Sequence, residues 1–213
     1  MSKKENSILP LIVALTCVTM VATAALSFVY TQTEPRIEEL KIAKDNAAKV
    51  MVLPGFDVET GIFIKLKVLP EGLKDSLTVS LAYMNNQLFG AAVPTYTNIA
   101  FSGRFDIMVG FDSEGNILNT EVLGHQETPG LGDKIDKKKD KFPLQFEGKS
   151  PKNKPLAVKK DGGEIDALTA ATITSRAFCD AVNNAYKAFQ MALQQEELNN
   201  NNNIITEKEE THE

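Results

Sequence analysis

The sequence predicts an α+β protein: a single N-terminal transmembrane helix, followed by a domain with a mostly antiparallel sheet packed by helices. Three observations carry that class. An uncharged apolar run lies near the N-terminus. Two hairpin signals separate alternating strand patterns in the middle, and a long apolar stripe at helical spacing lies near the end. Strands and helices do not alternate along the chain, so a doubly wound parallel sheet is not expected.

From Ser7 to Thr33 no residue is charged, and Ile8–Tyr30 reads ILPLIVALTCVTMVATAALSFVY. About 20 apolar residues at about 1.5 Å rise each cross a hydrocarbon core of roughly 30 Å. Residues 7–31 therefore read as a membrane span and residues 1–6 as a cytoplasmic stub. Lys3 and Lys4 precede the run, and positive charge stays inside, so the rest of the chain is expected outside, with Tyr30 at the far interface. A cleaved signal peptide is the competing reading, because Ala22-Thr23-Ala24 resembles a cleavage site. The run is longer than a signal core of about 7–15 residues. Both readings make the folded domain extracytoplasmic.

Within 32–53, the spacing of Ile37, Leu40, Ile42, Ala43, Ala47 and Val50 predicts a juxtamembrane helix, with Pro35 at an early position and Pro54-Gly55 ending it. A domain over 54–198 follows. Ile62–Leu69 alternates Ile64, Leu66 and Val68 with Lys65 and Lys67. Leu77–Met84 and Gln87–Val93 flank Asn85-Asn86, a turn-compatible pair. Phe105–Phe111 and Ile117–Leu123 flank Asp112-Ser-Glu-Gly115. The charged stretch Lys137–Lys141 is a solvated loop or helix edge. From about Ser175 to Leu198, Phe178, Ala181, Val182, Ala185, Phe189, Ala192 and Leu193 form one helical stripe, capped by Thr174 or Ser175. Residues 199–213, an Asn run and an acidic end, are expected to be disordered.

Composition excludes several classes. The net charge of −5 lacks the basic face that phosphate backbones require, so no nucleic acid is expected. Two cysteines, Cys17 in the apolar run and Cys179 in the last helix, are not expected to meet. With only His125 and His212 besides, no metal site is expected. A redox centre, if present, is organic.

Two segments carry the chemistry. Asp166–Ser175 reads D-A-L-T-A-A-T-I-T-S, with small residues before Thr172 and a helix just after it. Small side chains admit a bulky group, and a helix N-terminus favours phosphate. On its own residues the segment is equally a polar loop before a cap. It resembles the flavinylation motif of the FMN-binding domain family shared by the G subunit of Rnf-type ion-translocating redox complexes and the C subunit of the Na⁺-translocating NADH:quinone reductase. The usual form is Asp-x-x-Ser/Thr-Gly-Ala-Thr followed by Ser or Thr. The resemblance implies FMN joined by a phosphoester to Thr172, installed by a flavin transferase from FAD with a divalent metal. Asp166 and Thr169 match recognition positions, Ala171 matches the family alanine, and Thr174 lies beside them. Ala170 replaces the usual glycine, adding a methyl group that strains the backbone if φ is positive there.

The second segment, Phe101–Ile135, contains Glu127-Thr-Pro-Gly-Leu-Gly132, in which Pro129-Gly130 suits a type II turn. By its own residues this is a glycine-bearing structural loop whose N–H groups suit a flat heterocycle. The resemblance to the same family implies that Glu127, Thr128, Pro129, Gly130, Leu131 and Gly132 neighbour the flavin, that Ser102 and Gly103 form an adjacent turn, and that Lys159 or Lys160 is a basic residue near the cofactor. A plain surface lysine is the alternative.

The resemblance covers about residues 1–198. It implies a redox-carrier subunit, with no catalytic residue of its own, in a complex that couples ferredoxin:NAD⁺ electron flow to Na⁺ or H⁺ movement across the bacterial cytoplasmic membrane. The partners are then the other integral and peripheral subunits, the flavin transferase during maturation, and the lipid bilayer. The C subunit of the quinone reductase, a stand-alone extracytoplasmic flavoprotein, and a cofactor-free anchored scaffold are the alternatives.

Overall fold

The computed structural model describes residues 8–210. The expectations for residues 1–6, and for 211–213 of the tail, lie outside the described residues. Contacts divide the chain into two units, one ending at Asp45 and the other beginning at Asn46.

The first unit consists of helix α1 as far as Asp45. The helix as a whole is Ile8–Val52 and includes Pro35 in its interior. The expected change from membrane span to separate helix near residues 31–32 is not marked by a break. Pro35 removes one ladder hydrogen bond, which interrupts the ladder without ending the helix. From residue 9 through residue 43 the apolar side chains of the helix, among them Leu11, Leu15, Val18 and Phe28, are all exposed. An 18-residue window has a mean hydropathy of 2.2 and no burial. The hydroxyls of Thr16, Thr19 and Thr23 donate to backbone carbonyls three or four residues earlier. These three hydroxyls are thus satisfied within the helix, as a hydrocarbon surrounding demands.

The second unit holds a five-stranded antiparallel meander in the order β1-β2-β3-β4-β5. The strands are β1 Ile62–Val68, β2 Leu77–Met84, β3 Gln87–Thr97, β4 Phe105–Asp112 and β5 Ile117–Gly124. Asn85 and Asn86, at φ 51 and 64, close the β2–β3 hairpin with Met84 opposite Gln87. Two consecutive positive φ values are what a two-residue hairpin turn of type I′ needs, and Asn tolerates them. At β4–β5 the Asp112 carboxylate accepts from the Glu114 and Asn116 N–H groups, which fixes the second hairpin.

Both faces of the sheet are covered. On one, Leu81, Val93, Ile107, Val109 and Phe111 meet Phe178, Val182, Ala185 and Phe189 of helix α2, Thr172–Glu210. Phe111 stacks on Phe189 with centroids 5.3 Å apart. Each fully buried large side chain contributes about 1.5–3 kcal/mol through removal from water. On the other face, Ala82, Ala92 and Met108 pack against Ala48, Val52, Leu53 and Phe56, the last turns of α1 and the residues after them. β1 is an edge strand, so the expected inward row fades along it: Val68 is buried, Leu66 half-buried and Ile64 exposed.

Helix α2 departs from expectation at both ends. It starts at Thr172 rather than Ser175, and it is described to Glu210 rather than stopping at Leu198 before a disordered segment 199–213. No Gly or Pro stands between Thr172 and Glu210 to force an end.

Gly110 lets the last turn of α1 approach the sheet. A Cβ there would lie 1.8 Å from the Val52 carbonyl oxygen. Gly110→Ala is expected to cost at least about 1–3 kcal/mol, the usual range for an overpacked core. The shift in the urea unfolding midpoint of the detergent-solubilised protein measures it.

Candidate functional site

The start of α2 is built by a turn. The Ala171 N–H donates to the Leu168 carbonyl at 3.1 Å, which leaves Thr169 and Ala170 as the two central residues. Ala170 has φ 60. This is the third residue of a turn that needs a positive φ, where glycine is normal. The helical ladder then begins with Ser175 N–H to the Ala171 carbonyl at 3.0 Å. The Ser175 hydroxyl donates to the same carbonyl and accepts from Leu168 N–H, both at 2.9 Å. Neither Thr174 nor Ser175 is therefore the N-cap that their hydroxyls suggest: both lie inside the first turns, with hydroxyls tied to other elements. The N–H groups of such a first turn have no acceptor within the helix and face outward.

A second loop meets this turn. The Leu131 N–H donates to the Thr128 carbonyl at 3.1 Å, and Gly130 has φ 78, as a type II turn over Thr128–Leu131 requires. Glu127, just before it, is buried. Its carboxylate accepts from the Ser102 N–H at 2.8 Å and from the Thr174 hydroxyl at 2.6 Å. Its own N–H donates to His125 Nδ1 at 3.1 Å. Glu127 thus joins three segments: the β3–β4 turn, its own loop and α2. Gly132 leaves room for this junction, because a Cβ there would lie 2.3 Å from Glu127 Oε2. Next to it, the Lys139 ammonium on Asp133 holds that buried carboxyl below its ordinary 3.8. The depressed value means that the pair stabilises the fold above that pH and stops doing so as acid protonates Asp133.

Between the two loops lies a pocket of about 310 Å³, lined by Phe101, Glu127, Thr128, Leu131, Gly132 and residues 170–174. Its rim is apolar and open: Phe101 is 68%, Leu131 43% and Ile173 48% exposed. At the helix end stands the half-buried Thr172, whose Oγ1 accepts from Lys160 Nζ at 3.4 Å. Lys160 belongs to a short 3-10 turn, Lys159–Asp161, next to α2. Burial, with Asp161 and Asp180 adding negative charge, pushes the Cys179 thiol up to about 12, so it stays protonated.

Of the residues singled out from the sequence, Glu127, Thr128, Leu131, Gly132, Ala170, Ala171, Thr172 and Thr174 line one pocket, although the two motifs lie far apart in the chain. Ser102 borders it through its N–H on Glu127, and Lys160 through Thr172. Pro129, Gly130, Gly103, Asp166 and Thr169 do not line it. Asp166 pairs with Lys159 at 2.8 Å, and its backbone is held by both ends of the Gln145 amide, which shapes the turn from behind. Phe101 and Ile173 line the pocket without having been singled out. Each stands next to a motif residue as an apolar side chain with no place in a helical or strand face, which was the available signal.

Residues 101–187 match the FMN-binding domain family. The G subunit of the ion-translocating oxidoreductase complex of Yersinia pestis is 35% identical over 170 residues, covering 77% of this chain and 81% of its own length. The chain belongs to this family of G subunits. The corresponding proteins of Aliivibrio fischeri strain ES114 and Shewanella loihica are 44% and 39% identical over 134 and 131 residues. Those matches take in 60% of this chain in each case, and the chain spans 64% and 61% of the two relatives' lengths. Family membership and an exposed helix long and apolar enough to cross a bilayer together make this a membrane protein.

Two substitutions test the local physics. A left-handed φ costs an L-residue about 1–2 kcal/mol, while glycine gives back about 0.5–1 kcal/mol in unfolded-chain entropy. Ala170→Gly is therefore expected to stabilise by about 0.5–1 kcal/mol, read from the urea midpoint. Glu127→Ala strands the Ser102 N–H and the Thr174 hydroxyl and is expected to cost about 2–3 kcal/mol. Glu127→Gln, which retains an acceptor, should cost less in the same measurement.

Proposed function

We propose that this chain is the electron-carrying component of an ion-translocating oxidoreductase complex, with FMN joined through a phosphoester to Thr172. The observation that carries the proposal is the placement of the Thr172 hydroxyl. It sits on the first residue of α2, inside the pocket, 3.4 Å from the Lys160 ammonium. An anion at that hydroxyl meets the free N–H groups and positive end of a helix. A flat apolar group beside it meets Phe101, Leu131 and Ile173. The residues present therefore fit an aromatic ring on a phosphate tether.

In the attachment step the Thr172 oxygen displaces AMP from FAD at the flavin-side phosphorus, and its proton is lost. A flavin transferase with a divalent metal supplies the donor and the activation. Lys160 then faces the remaining phosphodiester charge. The protein's own contribution is to hold the ring at a high effective concentration near its pocket, outside a compartment that can resupply it. Bound FMN supplies electron transfer at its ring, and that chemistry is the cofactor's. Glu127, on this reading, is a neighbour of the flavin that also joins the loops around it. Thr128, Leu131 and Gly132 form the wall, Pro129-Gly130 and the Ser102–Gly103 turn stand behind it, and Asp166 and Thr169 serve recognition by the transferase.

The names of the relatives support a place among the other subunits of an ion-translocating oxidoreductase complex. Within it, residues 7–31 span the bacterial cytoplasmic membrane, residues 32–53 lead away from it, and the FMN-binding domain over 54–198 lies on the extracytoplasmic side. The complex couples ferredoxin:NAD⁺ electron flow to Na⁺ or H⁺ movement.

Intact-mass measurement after co-expression with the transferase tests the central step. Wild type should gain the mass of one FMN less one water and a yellow colour, and Thr172→Val should gain neither. An unchanged wild-type mass, with a transferase active on another substrate, sinks the proposal.

A further inference from the structure

The tip that carries Lys160 is folded tightly on itself. Val158 and Ile165 are buried, and the Lys159 and Ile165 N–H groups bond across its base at 2.8 and 3.1 Å. A Cβ on Gly163 would stand 2.0 Å from the Ala157 carbonyl oxygen, so the two limbs leave no room to shift past each other. The tip turns over through Gly162 at φ 78. A closed loop of this kind moves as a body, and what fixes its tip to α2 decides where Lys160 points.

That fixing contact is an ion pair. Arg176, one turn into α2 beyond Thr172, donates Nε–H to Asp161 Oδ2 at 2.6 Å and an Nη2–H to Oδ1 at 2.7 Å. The two parallel bonds fix an angle as well as a distance, which a single contact cannot do. Asp161 is the residue next to Lys160, and Arg176 is four residues past Thr172, so the pair aligns the ammonium with the hydroxyl. Both side chains are substantially exposed, so the pair adds little to global stability. Its effect is geometric. The Arg176 guanidinium also keeps the Asp161 carboxyl below its ordinary range, so the pair stays ionised in mildly acidic surroundings.

We infer that Asp161 and Arg176 are positioning residues that hold Lys160 against the Thr172 oxygen and thereby set the rate at which Thr172 accepts a flavin phosphate. This rests on the proposed attachment at Thr172. The bond formed joins Thr172 Oγ1 to phosphorus, and the bond broken releases AMP from FAD. Lys160 supplies positive charge where negative charge grows, and the ion pair supplies its aim. Misplacement of a reacting group by about 1 Å costs as much as about 100-fold in rate.

The test is a time course of flavin attachment to the full-length, detergent-solubilised protein, using purified transferase, FAD and Mg²⁺, followed by intact mass. Asp161→Ala and Lys160→Gln should each slow attachment by roughly 10-fold or more. Arg176→Lys keeps the charge but loses the fork, and should fall between wild type and Asp161→Ala. The decisive comparison is the double variant Lys160→Gln/Asp161→Ala. If Asp161 acts only through Lys160, the second change adds nothing to the first. An independent, multiplicative loss in the double variant overturns the inference, because Asp161 would then be touching the transferase or the fold directly. Unchanged rates in Asp161→Ala and Arg176→Lys, with wild type loading normally, overturn it as well. A wild type that takes up no flavin at all instead defeats the proposed attachment, and the positioning role with it. Unfolding midpoints should match wild type in every variant.

Discussion

The pocket depends on one buried carboxylate. Its two walls come from segments far apart in sequence, and Glu127 is the side chain that bonds one to the other. Glu127 accepts hydrogen bonds from the Ser102 N–H of one turn and the Thr174 hydroxyl of α2. A buried carboxylate is costly unless such partners satisfy it, so the same energetics that penalise burial enforce the junction. Gly132 is small where it must be, because any side chain there would collide with Glu127. The open rim of Phe101, Leu131 and Ile173 follows from this arrangement, since the loops are held by their polar backs and leave their apolar faces outward.

Helix α2 links that junction to the rest of the domain. Its stripe from Phe178 to Phe189 buries one face of the sheet, and its first turn presents Thr172. A site on the end of a firmly packed helix inherits the rigidity of the core. Ala170 is the place where local preference is overridden. Its φ of 60 is tolerated because Ala171 closes the turn and Ser175 ties Leu168 to the helix. The cost is small beside the packing that follows it, and it lies immediately before the reactive hydroxyl, where strained backbone tends to collect.

The strands were legible because each is specified locally. Alternation in Ile62–Leu69 and the Asn85-Asn86 pair are short-range signals, and the antiparallel meander follows from hairpin after hairpin. The grouping of the two motifs in one pocket was legible only through the family resemblance, since nothing in either segment names the other. Less legible were features that depend on where a side chain turns in three dimensions. Glu127 points back into the protein to bond Ser102 and Thr174. Arg176 reaches Asp161, 15 residues earlier in the chain. The start of α2 at Thr172 was hidden by hydroxyls at 174 and 175 that resemble caps but serve other partners. Phe101 opens the second segment yet was not among the expected flavin neighbours, because a single aromatic in a loop has no periodicity that marks which way it faces.

The claim on which the account turns is that the Thr172 hydroxyl and the Glu127-bound loops form one flavin site. Amide hydrogen exchange, compared between flavin-loaded wild type and Thr172→Val, addresses it directly. Exchange in the loaded protein should be slower at Phe101–Gly103 and Thr128–Gly132 together with the first turn of α2, and unchanged in β1. Protection confined to the α2 end, with both loops exchanging as before, would contradict it.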